Sequence, residues 1–346
     1  MRIATIPQGV IEAVAWAAGL VPRPVFDTLL AAGLARTLMT ASKLGVFEAL
    51  ADAPRTAAEV AERCGTVTGP TAQLLVALAG SGYVERVRDD RWQLAAVART
   101  WLLRDAKRSL HDHMVLMQLV WRWLEHYETY LKTGVALDVH EGLDAQGWAD
   151  YQRGMRSLAG LVLDEFVLRS PVPRRPTRLL DVGGAHGAYA AALCRKHPEL
   201  HATVLDLPEA TRHSAPLVAE QDLGARLQQR EGDARHTDLG TAEYDVVLVS
   251  NLVHHFDVAT NRALVQRIAA ALKPGGVLII QELMRGSGRD DQAGALASLY
   301  FATLSASATW NAAEIAAWQR DAGLVPLRAV RFASAPGLAQ QSARKR

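Results

Sequence analysis

Cysteine is nearly missing from this chain. Cys64 and Cys194 are the only two among 346 residues, and they lie far apart. That excludes a disulfide framework and fits a reducing compartment. Both read as small buried hydrophobes rather than metal ligands. An excess of charge is missing too. Thirty-eight basic residues face 36 acidic ones, for a net charge of +2, too little to hold nucleic acid non-specifically. Long apolar runs are also absent. Residues 10–21 are apolar but contain Glu12, stop at Pro22 and Pro24, and are too short to span a bilayer. They read as a docking helix, with a signal peptide as the alternative. The expectation is a cytoplasmic protein with no membrane or nucleic-acid partner. With 49% hydrophobic residues, it has material for two domain cores.

What is present begins with helices. Residues 25–50 carry Leu29, Leu30, Leu34, Leu38, Leu44 and Phe47 at helical spacing. Thr56-Ala-Ala-Glu59 has the form of a capping box opening a short helix to Cys64, which Gly65 stops. Residues 70–79 form a third helix, closed by Gly80 and Gly82. Residues 83–87 and 91–94 alternate about Asp89-Asp90 as a hairpin does. Three helices and a hairpin make a winged helix. Such a domain binds DNA through phosphate contacts and base-edge donors on its third helix. Here that helix has neither lysine nor arginine, and Gln73 alone cannot supply them. The basic residues Arg86, Arg88 and Arg91 sit on the wing beside Asp89 and Asp90. The apolar third helix calls instead for a partner surface.

Residues 101–132, and a segment from Trp148 to about residue 168, read as helices rich in large side chains, among them Met114, Met117, Trp121, Trp123, Tyr127 and Tyr130. Aromatics at helical spacing are core by default. Placed before a ligand-binding domain, they also suit the walls of a small-molecule pocket. Three prolines within residues 170–176 mark a linker.

The organising stretch is Arg178-Leu-Leu-Asp-Val-Gly-Gly-Ala-His-Gly187, continued by Asp206-Leu-Pro208. Leu179, Leu180 and Val182 read as a buried strand. Gly183, Gly184 and Gly187 allow a sharp turn, residues 188–197 a helix, and residues 202–207 a second strand. This is a βαβ unit whose glycine loop lets a ligand approach the backbone. Asp206 stands where an acidic side chain accepts from ribose hydroxyls. Asp181, directly before the loop, faces a cation comfortably and a pyrophosphate badly. The two carboxylates favour S-adenosylmethionine, which carries a sulfonium and an ammonium, over a dinucleotide.

These motifs resemble the cofactor motifs of the caffeic-acid-type O-methyltransferases and their bacterial relatives in natural-product pathways, and the resemblance covers nearly the whole chain. It implies a Rossmann-like α/β domain with a mostly parallel seven-stranded sheet, preceded by a helical winged-helix module that forms a homodimer. The family usually has glycine where this chain has Ala185, which narrows the loop. Cofactor contacts are implied at Asp181, Gly183, Gly184, Gly187, Asp206, Leu207, Asp233, Ala234 and Ser250. Tyr151-Gln-Arg-Gly-Met155 is similar to the segment whose methionine clamps an aromatic acceptor, so Met155, with Trp148 and His255, is implied at the substrate. Asn251-Leu-Val-His-His-Phe256 stands where the family has Leu-His-Asp-Trp. By position His254 is the general base, with His255 and Phe256 replacing the aspartate and tryptophan. Glu282 matches the first of two flanking carboxylates, and the second falls on Thr309.

Further strands are expected at residues 227–231, 244–250, 276–282, 327–332 and 337–344, with helices at 257–272 and 311–321. The division expected is a dimerisation domain over 1–105, a helical linker and pocket region over 106–170, and a cofactor domain over 171–346. No metal is expected, because adjacent histidines rarely point at one ion and no third ligand follows at metal spacing. His254 serves either as base or as a structural or substrate-orienting residue. Two other functions stay open: transfer to nitrogen or carbon, or non-methylating use of the cofactor; and a winged-helix regulator with a degenerate methyltransferase domain.

Overall fold

Gly45 and Gly65, both in the left-handed region at φ 76° and 63°, cut the amino-terminal sequence into its helices. The computed structural model describes residues 6–140, 142–286, 291–305 and 307–346. They form two compact units that divide between Gln118 and Leu119.

In the first unit, Val10–Ala17 is an exposed helix with no buried residue. The single helix expected over residues 25–50 is interrupted. Arg23–Val25 runs through a π-helical turn, Phe26–Leu30, into Ala31–Leu44. Gly45 then turns the chain so that Val46–Ala49 points Val46 and Phe47 into the core. The capping box forms as read: Thr56 Oγ1 accepts from the Glu59 amide at 3.3 Å, and Glu59 Oε2 accepts from the Thr56 amide at 2.6 Å. Helix Thr68–Gly80 follows. The wing gains a short strand the sequence did not announce. β1 (Arg55–Thr56), β2 (Val84–Arg86) and β3 (Arg91–Leu94) pair antiparallel in the order β1-β3-β2. Two residues are too few to show alternation. Helix Ala96–Trp101 is separated by turns from His111–Leu124, so the helical run expected from residue 101 starts ten residues later. Tyr127–Thr133 follows in the second unit.

The second unit is built on one sheet. Its strands are β4 (Arg178–Val182), β5 (His201–Asp206), β6 (Leu227–Glu231), β7 (Tyr244–Ser250), β8 (Leu272–Leu283), β9 (Leu324–Pro326), β10 (Val330–Arg331) and β11 (Leu338–Lys345). The order is β10-β11-β8-β7-β4-β5-β6, with β9 also pairing to β11. β6, β5, β4, β7 and β8 are parallel, and β11 runs antiparallel to β8. Of the strand expected over 327–332 only Val330–Arg331 forms, and Leu324–Pro326, ahead of it, pairs along the same edge of β11. Leu179, Leu180, Val246, Val247, Leu248, Ile279 and Ile280 are wholly or almost wholly buried, as parallel strands covered on both faces must be. The final strand forms as expected, and Gln340, Gln341 and Ser342 are buried in it.

In front of the sheet come helices Ala145–Gly160 and Leu163–Arg169. Asp144 caps the first, its Oδ1 accepting from the Gly147 amide at 2.7 Å. Asp257 and Asn311 cap Val258–Ala271 and Ala312–Asp321 in the same way. No helix among the described residues is long and apolar enough to cross a membrane.

Candidate active site

Open α/β sheets bind ligands beyond the carboxyl ends of their strands, where the strand order reverses. Here that point lies between β4, β5 and β7. A cavity of about 1030 Å³ opens there, lined entirely from the second unit. Its floor is the loop after β4. Gly183 has φ 70°. A Cβ at Gly184 would fall 2.5 Å from the Asp181 carboxyl carbon and 2.8 Å from Val204, so only glycine lets the loop lie on that side chain. Gly187 does not line the cavity. It caps helix Ala188–Lys196 at φ 65°. Ala185 adopts φ 45°, which costs an L residue roughly 1 kcal/mol. Its amide donates to Asp206 Oδ2 at 2.8 Å, and that bond holds the loop.

Asp181 is 1% exposed, and neither carboxylate oxygen has a hydrogen-bond partner among the described residues. Burial, then the charge of Asp206, pushes its pKa up to about 8, and the nearby Ala190 amide offsets this only in part. Asp206 also accepts the Leu207 amide on Oδ1 at 2.8 Å. Burial raises it to about 6 against those two amides. A pair of carboxylates, one of them without a donor, fits a ligand bearing cationic or N–H groups and repels a phosphate. The residues present therefore fit S-adenosylmethionine.

Leu207, Asp233, Ala234 and Ser250 also line the cavity. The Asp233 carboxylate, however, is already clamped by Arg235, at 2.7 Å to Nη2 and 3.0 Å to Nε. That contact holds its pKa below the ordinary carboxylate value. Ser250 Oγ accepts from the amide of buried Gln281 at 3.1 Å.

The same cavity is also walled by rings. Trp148 is stacked between His140 (centroids 5.5 Å apart, 17°) and His213 (5.9 Å, 2°). Tyr151 meets Trp148 edge-on at 6.1 Å, and Met155 lies one turn further along the same helix. His255 closes the wall beside His140 at 5.5 Å, its Nδ1 bonded to Ser305 Oγ at 2.7 Å. Burial, with the neighbouring His254 and His140, lowers the His255 pKa well below its ordinary value, so the ring facing the cavity is neutral.

His254 pairs with Glu282 as the motif implied. Its Nδ1 lies 2.8 Å from Glu282 Oε1, which also accepts the Leu283 amide at 2.9 Å. An oxygen accepting from that amide fixes Nδ1–H as the donor and leaves the Nε2 lone pair free. His254 is not on the cavity wall, however. It is 4% exposed and stacked beneath Phe301, with centroids 3.7 Å apart. Glu282 is fully buried and its Oε2 has no partner. Thr309 is also fully buried with an unpartnered hydroxyl, on a segment held to the His254 loop by Ser307 Oγ donating to Phe256 O and Trp310 Nε1 donating to Val253 O.

Sequence reasoning missed His140, Tyr151, His213 and Ser305 as cavity residues. Tyr151 was within reach, because it shares a helical face with Trp148 and Met155. The others come from a loop and two separate helices, and only the folded chain brings them together. Among the described residues no cluster of three or more His, Cys, Asp or Glu could hold a metal ion. Cys64 is half-buried, Cys194 buried, and both are free.

Comparison with known proteins agrees with this arrangement. Residues 124–324 match the O-methyltransferase domain, and residues 26–104 match the O-methyltransferase dimerisation domain. The chain is 31% identical over 327 residues to the 3-hydroxy-5-methyl-1-naphthoate 3-O-methyltransferase of Streptomyces sahachiroi, covering 91% of this chain and 93% of that protein. It is 28% identical over 265 residues to the N,N-dimethyltransferase OxyT of Streptomyces rimosus, covering 72% and 75%. The structure of human N-acetylserotonin methyltransferase in complex with SAM superposes with a TM-score of 0.79 at 18% identity, covering 99% of both chains, which shows the shared fold. With the methyltransferase domain matched over more than half its length and the dimerisation domain before it, the chain belongs to the O-methyltransferase family.

Proposed function

We propose that this protein is a homodimeric, cytoplasmic enzyme that transfers the methyl group of S-adenosylmethionine to a hydroxyl of a small aromatic metabolite. The observation that carries the reading is one cavity lined both by the Asp181–Asp206 glycine loop and by the Trp148–Tyr151–His255 ring wall. When bound, the cofactor supplies an electrophilic methyl on a sulfonium. The chain's own residues do the rest. Asp206 accepts the ribose hydroxyls, and Asp181 receives the cationic end. Trp148, Tyr151 and Met155 hold the acceptor ring flat against the helix, so that alignment contributes to the rate. His254 takes the hydroxyl proton on Nε2 while Glu282 holds Nδ1. Phe301 stacks on the face of that imidazole, so the in-plane Nε2 lone pair is approached from the ring edge.

The likeness to an N,N-dimethyltransferase keeps nitrogen as a second possible acceptor atom. Incubation with labelled cofactor and matched phenols and anilines separates the two. Label on phenols alone supports the O-transfer reading, and label on anilines alone replaces it.

Asp181 gives a pH signature. Its folded-state pKa of about 8 lies above the unfolded value near 3.8. Between those pH values the folded, ligand-free chain binds more protons than the unfolded one, so this site's contribution to stability falls as pH rises. Below about pH 8 a cationic ligand must displace the Asp181 proton. Cofactor binding at pH 7 is therefore expected to release a proton and to strengthen from pH 6 to 8. Calorimetry in two buffers of different ionisation enthalpy measures this, and equal heats would remove Asp181 from the cation contact.

The dimer assignment makes a separate prediction. Val10, Ile11 and Leu29 are 81%, 88% and 68% exposed, a large apolar surface for an isolated subunit. Light scattering is expected to give twice the chain mass, and Ile11→Asp with Leu29→Asp to weaken that association. A monodisperse monomer of the full chain would contradict it.

A further inference from the structure

Among the described residues that line the cavity, none offers a free positive charge. There is no lysine, and Arg235 is the one arginine. Its guanidinium is held by Asp233 through Nε and Nη2. Carboxylates are plentiful by contrast, with Asp138, Asp206 and Glu209 on the same wall. The histidines do not redress the balance. Burial, with His254, lowers the His140 pKa, and Asp138 opposes this only in part. His255 is held well below its ordinary value by burial and its two imidazole neighbours. Burial, then Arg156, lowers His186 to about 4. His213 Nε2 stands 3.7 Å from Glu209 Oε2, so a proton gained there is matched by that carboxylate.

The wall is nonetheless polar. No described residue hydrogen-bonds the His140 ring, and the His255 ring is bonded through Nδ1 alone, to Ser305. Both line the cavity, with centroids 5.5 Å apart. A neutral imidazole presents one donor and one acceptor, which suits a hydroxyl, a carbonyl or an amide. It leaves the charge of a buried carboxylate uncompensated, and that desolvation is costly without a cation. The cofactor's own carboxylate enters with an ammonium and a sulfonium on the same molecule. A carboxylate on the acceptor would enter with no counter-charge. We infer that the acceptor is an uncharged aromatic whose oxygen substituents meet the neutral rings of His140 and His255, and that the site rejects the same ring bearing a carboxylate. This rests on the methyl-transfer reading above and narrows its acceptor class.

The test offers hydroxylated one-, two- and three-ring aromatics in pairs, each as the primary carboxamide and as the carboxylate. The two members have nearly the same shape and differ in charge. Transfer of labelled methyl gives kcat/KM for each pair, and calorimetry on the S-adenosylhomocysteine complex gives acceptor affinity without turnover. The amide is expected to be preferred by on the order of 10²-fold in kcat/KM, and to bind more tightly. His140→Arg keeps a flat group against Trp148 and brings in a cation. It should shrink the preference about tenfold by improving use of the carboxylate, whereas the uncharged His140→Gln should retain it. A carboxylate used or bound by the wild type as well as its amide overturns the inference and leaves methyl transfer to aromatics standing. An unchanged preference in His140→Arg overturns the placing of His140 at the acceptor. Binding of no member of the panel, by a protein that binds S-adenosylhomocysteine, overturns the aromatic reading and the inference together.

Discussion

Replacing His254 with alanine is expected to lower turnover on a weakly acidic phenol by roughly 10²- to 10⁴-fold, with little change in cofactor affinity. The expectation follows from the Nδ1 contact to Glu282 at 2.8 Å, which leaves Nε2 as a fixed acceptor. An acceptor acidic enough to ionise unaided should narrow the gap between wild type and variant. Wild-type turnover should fall toward acid pH, because a protonated imidazole accepts no proton, and His254→Ala should abolish that limb. His255→Ala should leave it in place. His255 faces the cavity, but burial keeps it neutral, and its Nδ1 is committed to Ser305. Its loss should therefore appear in KM for the acceptor. Near wild-type turnover in both single histidine variants would leave alignment alone as the source of catalysis.

The second large effect is on binding. Asp206→Ala is expected to weaken S-adenosylmethionine and S-adenosylhomocysteine alike by about 10²-fold or more. On the proposed reading it removes two ribose contacts, each roughly 1 kcal/mol or more when buried. It also frees the Ala185 and Leu207 amides that hold the loop. Ala185, already at positive φ, then loses the bond that keeps it there. Asp206→Asn should be milder, because its amide oxygen can still accept. Calorimetric titration checks both, and wild-type affinity in Asp206→Ala would remove this residue from the site. Tight binding of NAD by the wild type would overturn the cofactor assignment.

The parts of this molecule legible in sequence are those with a short period or a local chemical signature. Buried runs such as Tyr244–Ser250 read as strands, and the glycines after Asp181 as a turn over a carboxylate. Thr56 and Glu59 read as a cap because that motif closes within four residues. The capacity of His254 to meet Glu282 was legible only through the resemblance, since 28 residues separate them. Other features depended on tertiary placement. No pattern marks His140, which lies in a loop and enters the wall by stacking on Trp148. His213 reaches the same indole from the helix after Asp206. The burial of His254 under Phe301 was equally hidden, because the motif fixes which imidazole follows the strand but not which helix covers it. Of the edge strand expected over 327–332 only Val330 and Arg331 pair with β11, and β9 ends just before that stretch at Pro326, which has no N–H.

The most direct test of the account follows the methyl group itself. Purified protein is incubated with cofactor labelled on the sulfonium methyl and a panel of hydroxylated aromatics, and the label is located in the product by NMR. The account predicts label in a methoxy carbon of at least one acceptor, with one S-adenosylhomocysteine released per methoxy formed and the yield collapsing in His254→Ala. Label bound to nitrogen or to ring carbon, or no transfer to any acceptor by a protein that binds the cofactor, would contradict it.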